Sequence, residues 1–234
     1  MSVTIEFFGV PGAGKTHLAH QLAETLRANG TTVADFTGWS RCWKLRALIR
    51  YRTLLLRSSL VLATSSRPLV EKPRVMRFLL TTLERYYRAQ SDASDTVYLF
   101  DEGVIQRLFM LLVDETGSRI SGIDRLLSQL PVPDRMVHVT ADPDLVDARI
   151  ESRERGLPDR FKTMTQADWR AVSTAADVAM CDSAKRLLEI GRSKTPPLLL
   201  LNTKSERPGE VLAALRLLNT ESLNNAATTI IDLG

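Results

Sequence analysis

Residues 9–16 read GVPGAGKT, between the apolar run VTIEFF (3–8) and the amphipathic stretch KTHLAHQLAETLRANG (15–30). This junction restricts the fold more than any other part of the chain. VTIEFF is rich in β-branched and aromatic residues and ends at a glycine, the pattern of a short buried strand. Leu18, Ala19, Leu22, Ala23 and Leu26 follow at helical spacing, closed by Gly30. TTVADF (31–36) reads as a second strand, and strand, helix and strand joined this tightly make a right-handed βαβ unit. The loop matches G-x-x-x-x-G-K-[ST] from Gly9 to Thr16. Glycines let the backbone turn its N–H groups inward around phosphate oxygens, and the helix start adds partial positive charge. Gly9, Pro11, Gly12, Ala13, Gly14, Lys15, Thr16 and His17 are therefore the expected phosphate-binding residues. Lys15 is expected on the β- and γ-phosphates of a nucleoside triphosphate, and the Thr16 hydroxyl on Mg²⁺.

The remaining pattern extends the alternation. TVYLFD (96–101), RMVHVTA (135–141) and PPLLLLN (196–202) read as strands, and the segments between them carry helical spacing. Asp142 and Pro143 suit a helix cap and first turn. Five apolar strands alternating with helices imply an α/β fold: a three-layer α/β/α domain around a five-stranded parallel sheet. Residues 1–218 are expected to form this domain, with 37–95 a helical insertion and 219–234 a flexible tail. Ligands in such sheets sit beyond the carboxyl ends of the strands, where both the glycine loop and Asp101 fall.

Asp101 ends an apolar strand. A carboxylate there binds Mg²⁺ or orients an attacking hydroxyl, unless it serves only to cap the helix that follows. Glu102 beside it is a competitor, because a strand ending in Asp-Glu can use the Glu to activate water. Arg149, Arg153 and Arg155 cluster in ARIESRERGLPDRF (148–161); Arg149 and Arg153 share a helix face. Converging arginines neutralise charge on a transferring phosphoryl group, and helix, Gly and Pro in succession suit a lid over 149–163.

Taken together, these stretches resemble the nucleoside and nucleotide monophosphate kinase group of P-loop kinases. GVPGAGKT is similar to the adenylate kinase form of the loop. FDEGVIQR resembles the thymidylate kinase element in which an Asp ends the third strand and a Gln follows in the next helix. RIESRERGLPDRF resembles the arginine-bearing lid. The resemblance implies strand order 2-3-1-4-5, ATP and Mg²⁺ on Lys15 and Thr16, and Asp101 by the acceptor. It also implies lid roles for Arg149, Arg153 and Arg155, and a loop beginning at Asn202 against the adenine. Gln106 and Arg107 start a helix from the active edge and are expected to reach the acceptor. Asp101-Glu102 departs from the usual Asp-Arg of thymidylate kinases.

Charge is uneven. Between Trp39 and Gln90 stand twelve Lys or Arg residues against Glu71 and Glu84, a balance of +10 in a chain whose net charge is +4. In the family this segment holds the acceptor, so an anionic acceptor is expected, with Arg41 and Arg46 among its ligands. Solvated helices account for such charge as well. WKLRALIRYRTLLLRSSLVLA (43–63) also reads as a basic amphipathic stretch suited to an anionic membrane surface. No nucleic-acid module is recognisable, which places nucleic acid last among the partners. Cys42 and Cys181 are far apart and expected to be reduced, and His17, His20 and His138 form no metal-ligand pattern. No basic leader with a cleavage site opens the sequence, and no run approaches the roughly 18 apolar residues of a membrane span, so a cytoplasmic location is expected.

The leading expectation is an ATP- and Mg²⁺-dependent small-molecule kinase. The rival is an NTP-binding accessory ATPase, with Glu102 activating water and residues 39–90 docking a protein partner.

Overall fold

The run VTIEFF forms strand β1 (Val3–Phe8), and every residue from Thr4 to Phe8 is buried. The computed structural model describes residues 2–34, 41–65, 69–107, 123–152, 164–190, 198–202 and 228–231. β1 pairs on one side with β3 (Thr96–Phe100) and on the other with β4 (Arg135–Thr140). β2 (Thr32–Val33) extends the sheet beyond β3, and β5 (Leu198–Asn202) extends it beyond β4. A central parallel strand is covered on both faces, so Phe7 and Phe8 lose all exposure. Each such burial is worth about 1.5–3 kcal/mol.

The sheet corrects the expected strand count. Among the described residues it has six strands in the order β2-β3-β1-β4-β5-β6, all pairs parallel. β6 (Thr228–Ile231) lies on β5, within the stretch expected to be a flexible tail. Backbone pairing at a sheet edge satisfies the N–H and C=O groups of a segment too short to show a pattern of its own.

α1 (Lys15–Ala28) buries the expected stripe of Leu18, Ala19, Leu22, Ala23 and Leu26. It stops at Gly30, whose φ of 79° lets Thr31 N–H return to the Leu26 carbonyl and Gly30 N–H to Arg27. Between β2 and β3 come α2 (Arg41–Arg50), α3 (Arg52–Thr64) and α4 (Glu71–Ser91). α4 buries Val75, Leu79, Leu83 and Tyr86, and the Tyr86 ring stacks on Phe100 at 4.1 Å. The chain is helical again at 104–107 and in α5 (Ile123–Leu127), α6 (Pro143–Glu151) and α7 (Gln166–Ile190). Asp142 caps α6 by accepting from Asp144 N–H, with Pro143 in the first turn. α7 is fixed to β4 through His138, which stacks on Phe8 and meets Asp177 at 2.8 Å. Burial opposes a charge on His138, but Asp177 and Cys181 outweigh it and hold the ring at about 9.

No helix among the described residues is long and apolar enough to cross a membrane. Cys42 and Cys181 are free thiols. PGEVLAALRLLN (208–219), whose spacing reads as a further helix, lies outside the described residues.

Candidate active site

The site is built where β1 and β3 end side by side. Gly9 leaves β1 with φ 145°, so close to β4 that a Cβ would stand 2.2 Å from the Val139 carbonyl oxygen. Only glycine fits that approach. Gly9→Ala is expected to cost about 3 kcal/mol of stability, read by urea unfolding; an unchanged midpoint would show that the loop can sit elsewhere. Gly12 and Gly14 follow with φ 92° and 100°. The first bond within α1 is Leu18 N–H to Gly14 C=O, so the amides of Lys15, Thr16 and His17 lie ahead of it, at the helix's electropositive end.

The Lys15 ammonium arches back over the loop and donates to the Gly9 and Val10 carbonyls, each at 2.9 Å. Thr16 Oγ1 donates to Asp101 Oδ2 at 2.9 Å, joining the start of α1 to the end of β3. Glu102 forms an ion pair with Arg107, whose guanidinium lies 4.8 Å over the Phe78 ring of α4. The two adjacent carboxylates thus have different partners, Thr16 for Asp101 and Arg107 for Glu102.

From the other side, Gly12 rests against Val146 of α6, and Arg149 Nη1 approaches the Gly12 and Ala13 carbonyls at 3.4 Å. Between these walls opens a cavity of about 500 Å³ lined by Lys15, Thr16, His17, Glu102, Gln106 and Arg149, together with the loop backbone. That volume suits a small ligand. Gln106 is buried there, and its Oε1 has no hydrogen-bond partner among the described residues.

Other expected residues stand apart. Arg46 is exposed on α2, 5.2 Å over the Trp43 ring, and is not among the residues lining this cavity. Arg41 opens α2. Asn202 ends β5, paired with Thr140. Arg153 and Arg155, and all of the expected lid beyond Ser152, lie outside the described residues.

One residue was not anticipated as part of this architecture. Glu6 sits in the middle of β1, wholly buried, where it accepts from Tyr86 Oη at 2.5 Å and from Ile105 N–H at 2.7 Å. Gly103 passes so close that a Cβ there would fall 2.2 Å from the Glu6 carboxyl carbon. This carboxyl therefore anchors the turn that carries Asp101, Glu102 and Gln106. A lone Glu inside an apolar strand was its sequence signal.

Burial raises the Glu6 pKa from 4.5 to about 7, against the opposing hydrogen bonds from Tyr86 and the Ile105, Val104 and Gln106 amides. A raised carboxyl pKa means the folded state holds the proton more tightly. This group therefore withdraws stability as pH climbs from about 4.5 to 7, by roughly 3 kcal/mol in total. Glutamine imitates the protonated form, so Glu6→Gln should gain about that much relative to the parent between pH 5 and pH 8 in urea titrations. A difference independent of pH would show that Glu6 titrates ordinarily.

No protein-family profile matches the chain, and no curated protein matches it. Among solved structures, it is similar to a shikimate kinase from Acinetobacter baumannii in complex with shikimate, at 14% identity and TM-score 0.47 over 95% of this chain and 96% of that one. It is also similar to a deoxyadenosine kinase from M. mycoides with bound dATP, at 12% identity and TM-score 0.48 over 93% of this chain and 100% of that one. Likeness this distant transfers neither ligand nor reaction, and the reading of the site rests on its own geometry.

Proposed function

We propose that the chain is an ATP- and Mg²⁺-dependent small-molecule kinase. The observation that supports this reading best is the Thr16–Asp101 contact of 2.9 Å beside the Lys15 ammonium, at the ends of neighbouring strands. A hydroxyl and a carboxylate are hard oxygen donors of the kind Mg²⁺ takes in combination with phosphate oxygens, so these residues fit the ion. When bound, Mg²⁺ supplies positive charge to the β- and γ-phosphates.

The chain's own groups do the rest. The loop amides and Lys15 hold the triphosphate. In moving onto phosphate oxygens, the ammonium exchanges two neutral carbonyls for an anion, a stronger pairing. Arg149 approaches from α6 to offset charge on the transferring group. Arg153 and Arg155 are proposed to join it from the lid, and the loop after Asn202 to cover the nucleotide base. The acceptor enters from the side of α2–α4, with Gln106 and Arg107 nearest to the cavity, and Arg41 and Arg46 are proposed as further ligands. Its oxygen is oriented near Asp101, which takes the proton of a hydroxyl acceptor as that oxygen bonds to Pγ in line, and ADP departs with the electron pair of the broken bond. Positioning and charge suffice for such a transfer.

The accessory-ATPase alternative requires Glu102 to activate water, yet its carboxylate is engaged by Arg107. The two readings separate by ADP formation measured with and without a panel of nucleosides, nucleotides, sugars, sugar phosphates and lipid head groups. Formation dependent on one acceptor class supports the kinase. A slow rate indifferent to every acceptor, but raised by a protein partner, supports the ATPase.

A further inference from the structure

The helices between β2 and β3 expose a face that the phosphate-loop cavity does not use. Leu45, Leu48 and Ile49 fall on one side of α2, and all are 45–59% exposed. Along α3, Arg52, Leu56 and Leu60 follow at four-residue intervals; the two leucines are 63% and 61% exposed. Leu69 and Val70, just ahead of α4, are more than 80% exposed. Single exposed leucines are ordinary, but two of these, Leu48 and Leu56, share one concavity. Leu48 of α2, Leu55 and Leu56 of α3, and Met76 and Leu80 of α4 line one concavity, with Arg52 and Arg77 on its rim.

The charge around this face has one sign. α2 and α3 contain no acidic residue, and Glu71 is the only one between residues 41 and 83. Arg50, Arg52 and Arg77 are exposed on these helices. Not every cation of the segment belongs here: Arg57 turns to the Arg125 carbonyl of α5, and Lys72 to the Ala63 and Ser65 carbonyls. A second copy docking by the same face would set arginine against arginine. An anionic phospholipid surface instead offers phosphates to the rim and acyl chains to the aliphatic side chains. Projecting Leu, Ile and Val side chains, with no rigid socket to receive them, suit a partner that deforms around them.

We propose that the exposed face of α2, α3 and the start of α4 docks the protein on membranes containing anionic phospholipids. The apolar side chains enter the interfacial layer and the arginines pair with head-group phosphates. This surface is independent of the reaction assigned to the phosphate-loop cavity.

Sedimentation with phosphatidylcholine vesicles, with and without phosphatidylserine, tests it on the full chain. The expected result is pelleting only with phosphatidylserine, reversed by raising salt, because the attraction is screened. Arg52→Glu should weaken binding about fivefold or more, as each cation near such a surface contributes about that factor. Leu56→Asp with Leu60→Asp should abolish pelleting while circular dichroism and melting stay those of the parent. Failure of the parent protein to pellet with phosphatidylserine would overturn the proposal and leave a protein as the occupant. So would equal pelleting with both vesicles, or variants of unchanged stability that pellet like the parent. A dimer by light scattering that the leucine changes dissociate would overturn it in favour of self-association. The lipid and salt dependence of the parent stands whether or not the variants fold.

Discussion

Lys15→Ala is expected to lower phosphoryl transfer by about a hundred- to a thousand-fold, the scale on which removing one preorganised charge-stabilising group acts. ATP affinity should fall with it, because the ammonium meets the triphosphate before and during transfer. Folding should weaken as well, because the two carbonyls it leaves belong to the buried Gly9 and Val10. Turnover, nucleotide affinity and melting of one variant therefore give three separate readings. Turnover equal to that of the parent would remove the phosphate-loop assignment, whatever the melting curve shows.

Asp101→Asn should behave differently. Its carboxylate accepts from the Thr16 hydroxyl at 2.9 Å, and asparagine preserves the shape and that hydrogen bond while discarding the charge. Turnover is expected to fall by about a hundredfold or more, while ATP affinity measured without Mg²⁺ stays near that of the parent. The Mg²⁺ concentration needed for half-maximal rate should rise. A loss confined to stability, with normal turnover per folded molecule, would make Asp101 a structural cap. Glu102→Gln provides the contrast: it breaks the pair with Arg107 and should affect the acceptor's KM more than the nucleotide's.

The residues whose roles follow from local spacing were the legible ones. The loop from Gly9 to Thr16 declares its geometry because phosphate binding needs glycine, lysine and a hydroxyl within a few positions. The helical stripe of α1 and the cap at Asp142 are equally local. Asp101 and Glu102 are neighbours in sequence, so no pattern tells which one faces the loop; that depends on how the turn after β3 is pinned. The pin is Glu6, and its partners Tyr86 and Ile105 lie 80 and 99 residues away, beyond any local signal. β6 escaped notice because a four-residue edge strand acquires meaning only from the neighbour it pairs with. Arg46 was an expected ligand on the strength of charge density alone. Charge counts do not say which face of a helix bears them, and its guanidinium lies over Trp43 on α2.

The fate of the γ-phosphate separates transfer from hydrolysis. γ-Labelled ATP is incubated with the protein, Mg²⁺ and whichever acceptor class stimulates ADP formation, and the products are separated. Label is expected in an organic phosphate, formed in step with ADP and lost in Lys15→Ala. Label recovered only as inorganic phosphate, whatever acceptor is offered, would contradict it.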